Sequence, residues 1–169
     1  MYEHLNKEQL TKFLAVARNA SARDGLMFHT AFMHGLRVSE VIALSSKNLR
    51  GEILIVKRLK GSRKTSQPAS AELLAYSATL PAGTRFFDES RFQVLRLFKR
   101  YGREAGIPEI LLHTHVLKHA VAHAMLDGGA SIPEIQCRLG HVNGQNTLKY
   151  LEVSEETSSR AFSAAVGSF

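Results

Sequence analysis

One stretch of the sequence constrains the fold more than any other, because it interrupts the helical spacing found on both sides of it. Residues 51–70, GEILIVKRLKGSRKTSQPAS, run β-branched residues into a Lys-Gly-Ser-Arg-Lys turn and then into a return segment that stops at Pro68. Such runs on either side of a turn are typical of a β-hairpin. We therefore predict one hairpin with a basic tip.

The segments before this hairpin have the spacing of helices. Residues 5–20 carry an apolar stripe, formed by Leu10, Phe13, Leu14 and Ala17. Asn6 and Gln9 have the spacing of a capping box, so a first helix is predicted to begin there. Residues 22–35 are apolar nearly all round and predict a buried second helix, and residues 38–45 predict a short third one.

The second half of the chain also predicts helices. Pro81 and Gly83 break the chain before residues 88–106, a predicted helix with Phe92 and Leu95 on alternating sides. Residues 113–129 predict a helix closed by glycines, and Ser131 with the following Pro-Glu pair predicts the start of the next one. No repeat or long linker divides the chain. We predict a single domain over residues 1–169, mainly α with a small antiparallel β-sheet, which is an α+β class.

The charge of the chain favours a polyanionic partner. Lys and Arg number 22 against 15 Asp and Glu, giving a net charge of +7. Four basic residues share one face of the predicted 88–106 helix without interleaved acids, namely Arg96, Lys99, Arg100 and Arg103. Together with Arg63 and Lys64 of the hairpin tip, they are candidate phosphate contacts. The alternative is that this face is an ordinary solvated one.

The cysteine content and hydropathy indicate the cellular compartment of the protein. Cys137 is the single cysteine, so no intramolecular disulfide is possible, and no segment has the length and hydropathy of a membrane span or signal peptide. These features predict a cytoplasmic protein.

Several short motifs occur in a characteristic order. They are GLRVSE at 35–40, KGSRK at 60–64, HTHVLKHAVAHAML from 113, LGH at 139–141 and TLKY at 147–150. In this order and approximate spacing, the chain resembles the catalytic domain of the tyrosine recombinases, the phage integrase family. The resemblance implies a mostly helical domain with a small sheet. Because the first predicted helix begins close to Met1, we expect the N-terminal DNA-gripping domain usual in these proteins to be absent, either from an excised catalytic fragment or from a minimal recombinase.

The resemblance implies a role for each motif residue. The implied catalytic set is Arg37, Lys60, His115, Lys118, His141 and the nucleophile Tyr150. Two positions depart from the family pattern: Lys118 stands where a second arginine is usual, and His34 stands where a small polar residue is more common. Glu40 is interpreted as a structural partner for Arg37 or for a neighbouring backbone group.

The implied reaction is phosphoryl transfer to tyrosine. A 3′-phosphotyrosyl intermediate keeps the energy of the broken phosphodiester for resealing, so no ATP is needed. Fixed cations stand where other nucleases place magnesium, so no metal or other cofactor is expected. Lys60 is implied to protonate the departing 5′ oxygen. The implied partner is double-stranded DNA, on which the protein forms a homotetramer, while the free protein is a monomer or weak oligomer associated with the nucleoid.

Two alternatives remain open at this point. The chain could be a DNA-binding relative without catalysis, because a lysine at 118 cannot make the two parallel bonds that a guanidinium makes to phosphate. It could also bind zinc, because His115, His119 and His123 repeat every fourth residue and Cys137 precedes His141 by four. Each catalytic candidate also has a structural explanation: Arg37, for example, could simply pair with Glu40.

Overall fold

The structure is a computed structural model that describes residues 4–59, 62–143 and 147. In these residues the helices are α1 (Lys7–Ala20), α2 (Ala22–Met33), α3 (Val38–Val41), α4 (Ala71–Ala78), α5 (Arg91–Glu104), α6 (His115–Asp127) and α7 (Ile132–Leu139). The strands are β1 (Leu49–Arg50), β2 (Ile53–Val56) and β3 (Thr65–Pro68). Lys60 and Tyr150 lie outside the described residues. The predicted fold class, mainly helical with a small antiparallel sheet, is confirmed.

Helix α1 begins as its sequence predicts. The Asn6 side chain accepts a hydrogen bond from the backbone N–H of Gln9, and the Gln9 side chain accepts one from the backbone N–H of Asn6. The helix buries Phe13, whose ring packs against Phe28 of α2 and Phe98 of α5 with centroids 5.1 and 4.7 Å away. These rings form the centre of the main core, and a Phe13→Ala change would leave a large cavity there.

The sheet is a three-stranded antiparallel meander in the order β1-β2-β3. Leu54 faces Gln67 and Val56 faces Thr65 across the β2–β3 pair, and all four of these side chains are buried. Side chains alternate between the two faces of a strand. The same phase, continued two residues beyond Val56, turns Arg58 inward.

The turn between α2 and α3 approaches α7 closely. Gly35 has φ of +57° and lies so near Leu139 that an added Cβ would be 2.5 Å from Leu139 Cδ2. A side chain at 35 would therefore be strained in its backbone and would clash with α7. This contact brings the start of α3, with Arg37, near the end of α7, which precedes His141.

Some local predictions were wrong. Helix α3 ends at Val41, well short of residue 45, and helix α4 was not predicted at all. Helix α5 itself was predicted, and its inward face is formed by Val94, Phe98 and Tyr101, while Phe92 is 86% exposed. Within the part of the chain that the structure describes, no helix is long and apolar enough to cross a membrane.

Candidate active site

A buried carboxylate organises the site. The side chain of Glu40 is fully buried and accepts four hydrogen bonds. Two come from backbone N–H groups, of Arg37 at 2.9 Å and Leu59 at 3.1 Å, and two from the guanidiniums of Arg37 and Arg58. Burial acts to raise the pKa of Glu40, but these hydrogen bonds and cations outweigh it and hold the pKa below its usual value. Glu40 is therefore an ionised anchor, as the sequence suggested.

Arg37 is fixed by this anchor yet remains partly open. Its Nη1 donates to Glu40 Oε1 at 3.1 Å and, more weakly, to the carbonyl of Leu59 at 3.4 Å. The side chain keeps 22% of its surface exposed. Because the bonds to Glu40 and Leu59 both use Nη1, the other guanidinium donors remain available to a ligand.

Arg58 was not recognised from the sequence as part of this site. Its side chain is fully buried beside Glu40, with Nη1 3.2 Å from Glu40 Oε2. Its remaining N–H groups donate to the carbonyls of Gly35, His34 and Arg138 and to the hydroxyl of Thr65. The alternating burial of β2 was the signal that could have revealed it, because Arg58 is in phase with Leu54 and Val56.

Lys118 lies inside this cationic region. It is only 5% exposed, and among the described residues its Nζ has no hydrogen-bond partner. Burial lowers its pKa to about 8, and the charges of Arg37 and Arg58 act in the same direction, while Glu40 opposes them. A buried ammonium without a partner is costly, so this position is suited to receiving an anion.

His141 follows α7 through a tight glycine turn. Gly140 has φ of +69°, and a Cβ there would lie 2.6 Å from the carbonyl oxygen of Arg63. The backbone N–H of Arg63 also donates to Gly140 O at 2.8 Å, so the hairpin and the glycine turn lie side by side. The imidazole of His141 is hydrogen-bonded through Nδ1 to Thr147 Oγ1 at 2.8 Å.

The electrostatic surroundings of His141 show which groups lie near it. Burial lowers its pKa to about 4, and the positive charges of Lys118, Arg37 and Arg58 contribute. The ring is therefore neutral at pH 7. The structure thus brings Arg37, Lys118 and His141 together.

His115 reaches the site from the first turn of α6, one helical turn before Lys118. It is exposed and lines a cavity of about 390 Å³ that Arg37 also lines. Arg91, Phe92 and Leu95 of α5 form another wall of this cavity. The sequence did not single out Arg91 as a functional candidate, although it adds a cation close to Arg37.

The other basic candidates lie apart from this cluster. Arg63 and Lys64 are exposed on the hairpin arm that reaches Gly140. The α5 stripe, Arg96, Lys99, Arg100 and Arg103, lies on the side of α5 opposite the buried Val94 and Phe98. Two of its members meet acids after all: Arg103 pairs with Glu109, and Arg96 lines a cavity with Asp88 and Glu89.

The histidines that suggested zinc have other surroundings. Across residues 4–59 and 62–143, together with residue 147, no three His, Cys, Asp or Glu residues are grouped so that they could hold a metal ion. His123 instead stacks on His4 with ring centroids 3.6 Å apart, and Cys137 is exposed. The zinc interpretation therefore has no support from the described residues. The expectation that the reaction needs no metal stays a prediction.

Acidification should destabilise the fold through its buried histidines. Burial lowers the pKa of His34 to about 4, as it does for His141. Unfolding restores a pKa near 6.5, so the unfolded chain binds more protons as the pH falls from 6.5 towards 4, and stability is lost over that range. We expect a loss of about 1 to 3 kcal/mol for each buried histidine, measured by urea denaturation at pH 7.5, 5.5 and 4.5.

The variant His34→Gln provides the control for this prediction. His34 Nδ1 lies 2.9 Å from Gln67 Oε1, and a glutamine amide can still donate to that oxygen without titrating. The variant should lose less stability on acidification than the native protein. Equal losses in the two proteins would show that His34 does not contribute to the effect.

The fold is that of a tyrosine recombinase catalytic domain. The crystal structure of XerA recombinase superposes with a TM-score of 0.78 at 19% identity, covering 98% of this chain and 65% of that one. The catalytic domain of bacteriophage HP1 integrase superposes with a TM-score of 0.71 at 23% identity, covering 96% of this chain and 94% of that one.

Sequence comparison identifies the family. The phage integrase family matches residues 3–157, so this chain belongs to the phage integrase family. Tyrosine recombinase XerA of Thermococcus onnurineus is 33% identical over 168 residues, which cover 90% of this chain and 58% of that protein. The chain therefore spans less than two thirds of the length of that relative.

Proposed function

We propose that this chain is the catalytic part of a site-specific DNA recombinase, which cuts and rejoins double-stranded DNA. The observation that carries the proposal is the convergence of Lys118 and His141, from two separate elements, on Arg37, which the buried Glu40 holds. The Lys118 ammonium has no hydrogen-bond partner among the described residues, and Arg37 is partly exposed beside it. A phosphodiester is the anion that this arrangement and the family membership favour.

The proposed reaction proceeds in two reversible transesterifications. The hydroxyl of Tyr150 attacks the phosphorus of the scissile diester, forming a 3′-phosphotyrosyl bond while the bond to the 5′ oxygen breaks. The tyrosine proton leaves to solvent or a nearby base, and Lys60 donates a proton to the 5′ oxygen. A DNA 5′ hydroxyl later reverses these steps. Because the ester energy is retained, no ATP is required, and the fixed cations take the place of a metal ion.

The remaining residues are assigned to charge stabilisation. Arg37 and Lys118 would bind the non-bridging oxygens of the phosphate, where charge accumulates in the transition state. His115, at the rim of the cavity shared with Arg37, and His141, neutral and held by Thr147, would donate hydrogen bonds to the same group. Glu40 does not touch substrate in this scheme: it holds Arg37.

A second candidate function is DNA binding without cleavage. The observation that favours it is Lys118, which supplies a point charge with a pKa lowered to about 8 where a planar guanidinium is usual in the family. Such a protein would keep the basic surface but turn over too slowly to detect.

One experiment separates the two functions. Nicked suicide duplexes with randomised arms are incubated with the protein, and protein–DNA adducts are collected under denaturing conditions. The nick lets the cleaved strand diffuse away, so a recombinase accumulates a covalent complex whose DNA can be sequenced. A binding module gives complexes that dissociate under denaturing conditions.

The basic surface is predicted to bind DNA mainly through phosphates. Affinity should fall steeply with salt, with a slope that reflects on the order of four to eight contacts if the α5 stripe and the hairpin tip both engage. Replacing Arg96, Arg100 and Arg103 together with Gln should reduce that slope by about one per lost contact, measured by fluorescence anisotropy. Arg103 should contribute least, because its Nε and Nη2 both donate to the carboxylate of Glu109, at 3.0 and 2.6 Å.

An arginine elsewhere on the surface provides the control. Arg18 is about half exposed in its pair with Glu72, and the Arg18→Gln variant should keep the native slope. If the triple variant also keeps it, the stripe is an ordinary solvated face.

Assembly and location follow from the same proposal. We infer that the protein is a monomer or weak oligomer when free and a homotetramer on DNA, in the cytoplasm and associated with the nucleoid. Light scattering with and without target DNA tests this inference. A stable tetramer without DNA would contradict it.

A further inference from the structure

Arg58 forms the most extensive side-chain network in the described part of the chain. A guanidinium has five N–H donors, and here all of them are used. Nη1 donates to Gly35 O at 2.8 Å and to Glu40 at 3.2 Å, while Nε donates to Thr65 Oγ1 at 3.1 Å. Nη2 completes the set, donating to the carbonyls of His34 at 2.6 Å and Arg138 at 3.0 Å.

The partners of Arg58 stand next to the proposed catalytic residues. Gly35 precedes Arg37 by two residues in the turn between α2 and α3, and Arg138 precedes His141 by three at the end of α7. Arg58 itself precedes Lys60 by two residues in the hairpin. The Arg58 side chain therefore links the backbone segment that carries Arg37 to the one that carries His141, although these segments are distant in sequence.

Its geometry also shows what Arg58 cannot do. With every donor engaged and the side chain fully buried, it has no N–H left for a phosphate. It differs in this from Arg37, which keeps donors free and part of its surface exposed. Arg58 can influence the reaction only through the groups that it holds.

We propose that Arg58 is a positioning residue of the recombination reaction, which fixes Arg37 and the Gly140–His141 turn relative to each other. The proposal rests on the recombinase function proposed above. A misplacement of catalytic groups by about 1 Å can reduce a rate about a hundredfold. Arg58 can fix the distance between these two segments because it bonds their backbone carbonyls, which move only when the backbone moves.

The variant Arg58→Lys tests the proposal, because it keeps the charge but replaces the planar fork by one ammonium with three donors. Single-turnover cleavage of a suicide duplex at saturating DNA should slow by about a hundredfold, while the Kd for DNA stays within about twofold. Arg18→Lys is the matched control, since it makes the same change in an exposed pair, and it should cleave at the native rate.

A second variant serves if Arg58→Lys does not fold. Thr65→Val leaves Arg58 in place and removes only the acceptor of its Nε, so the protein should fold and cleave severalfold more slowly. Native cleavage rates in a folded Arg58→Lys protein, or in Thr65→Val if that is the only folded variant, would overturn the proposal and leave Arg58 a purely structural residue.

Hydrogen exchange distinguishes this proposal from the proposed function, because it needs no activity. The amide of His141 donates to Gln136 O at 3.0 Å. If Arg58 holds the turn, exchange at this amide should accelerate at least tenfold in Arg58→Lys relative to the amides of α1. Parallel changes at both places would indicate global destabilisation and would contradict the proposal. Absence of adducts from the native protein would instead contradict the recombinase function alone.

Discussion

Replacing Tyr150 with Phe should abolish covalent adducts with a suicide duplex while leaving folding and DNA affinity nearly unchanged. Only the hydroxyl is removed, and in the proposed reaction this oxygen forms the bond to phosphorus. Denaturing gels measure the adduct, and anisotropy measures the retained binding.

The other tyrosines of the described residues are engaged elsewhere. The Tyr101 hydroxyl donates to Asp24 Oδ2 at 2.6 Å in the core, and burial and this carboxylate raise its pKa to about 12. Tyr76 donates to the carbonyl of Phe86 at 3.1 Å. Burial and this hydrogen bond therefore exclude Tyr101 as an alternative nucleophile.

These tyrosines also provide the control. Tyr76→Phe loses one hydrogen bond far from the cationic site and should form adducts like the native protein. Adducts that persist in Tyr150→Phe but disappear in Tyr2→Phe would move the nucleophile to Tyr2 and contradict the assignment.

Local signals in the sequence predicted the starts of α1 and α7. The capping boxes at Asn6 and at Ser131 are made by residues three apart, and both are present in the structure. Such interactions depend on neighbouring residues alone, so a sequence specifies them fully. Helix α4 could have been predicted on the same basis, because Ser70 caps a run of strong helix formers.

The choice of buried face was harder to predict. In α5, Phe92 and Leu95 offered one apolar direction and Val94, Phe98 and Tyr101 another. The second direction meets the Phe13 and Phe28 rings of α1 and α2, and only the tertiary packing decides between the two. Phe92 therefore lines the cavity that Arg37 also lines.

The candidate site was likewise only partly predictable from the sequence. The motifs contain Arg37, Lys118 and His141; the order of the motifs carried the family resemblance, and the resemblance implied the roles of these residues. The burial of Lys118 and the network of Arg58 could not be read from the sequence, because most partners of Arg58 are backbone carbonyls. Every residue has a carbonyl, so such partners leave no sequence signature.

Lys118 should control both the rate and the pH dependence of cleavage. Removing a preorganised donor to the transition state typically costs about a hundred- to a thousandfold in rate, so Lys118→Met and Lys118→Ala should cleave more slowly than the native protein by up to that factor. Lys118→Arg should cleave about tenfold faster, because a guanidinium holds phosphate with two parallel bonds. Single-turnover rates on one suicide duplex measure all four proteins.

The pH profile distinguishes a lysine in the site from one that only affects folding. The pKa of Lys118 is lowered to about 8, so the free native protein loses this charge as the pH rises from 7 to 9.5. The rate constant at sub-saturating DNA, which reports the free protein, should fall over that range, by up to about tenfold per pH unit above the pKa. Lys118→Arg should not share this fall, since a guanidinium stays charged.

Stability provides the final check on Lys118. Among the described residues, the charges that act on the buried Nζ are those of Arg37, Arg58 and Glu40, and Nζ has no hydrogen-bond partner. The carboxylate of Glu40 already accepts hydrogen bonds from backbone N–H groups. Lys118→Met should therefore raise the free energy of unfolding by about 1 to 3 kcal/mol even as it slows cleavage. A residue that costs stability and supports the rate is what an anion site requires, because the phosphate supplies the missing partner. If Lys118→Ala cleaves as fast as the native protein, another cation near the cavity, with Arg91 the first candidate, completes the site instead.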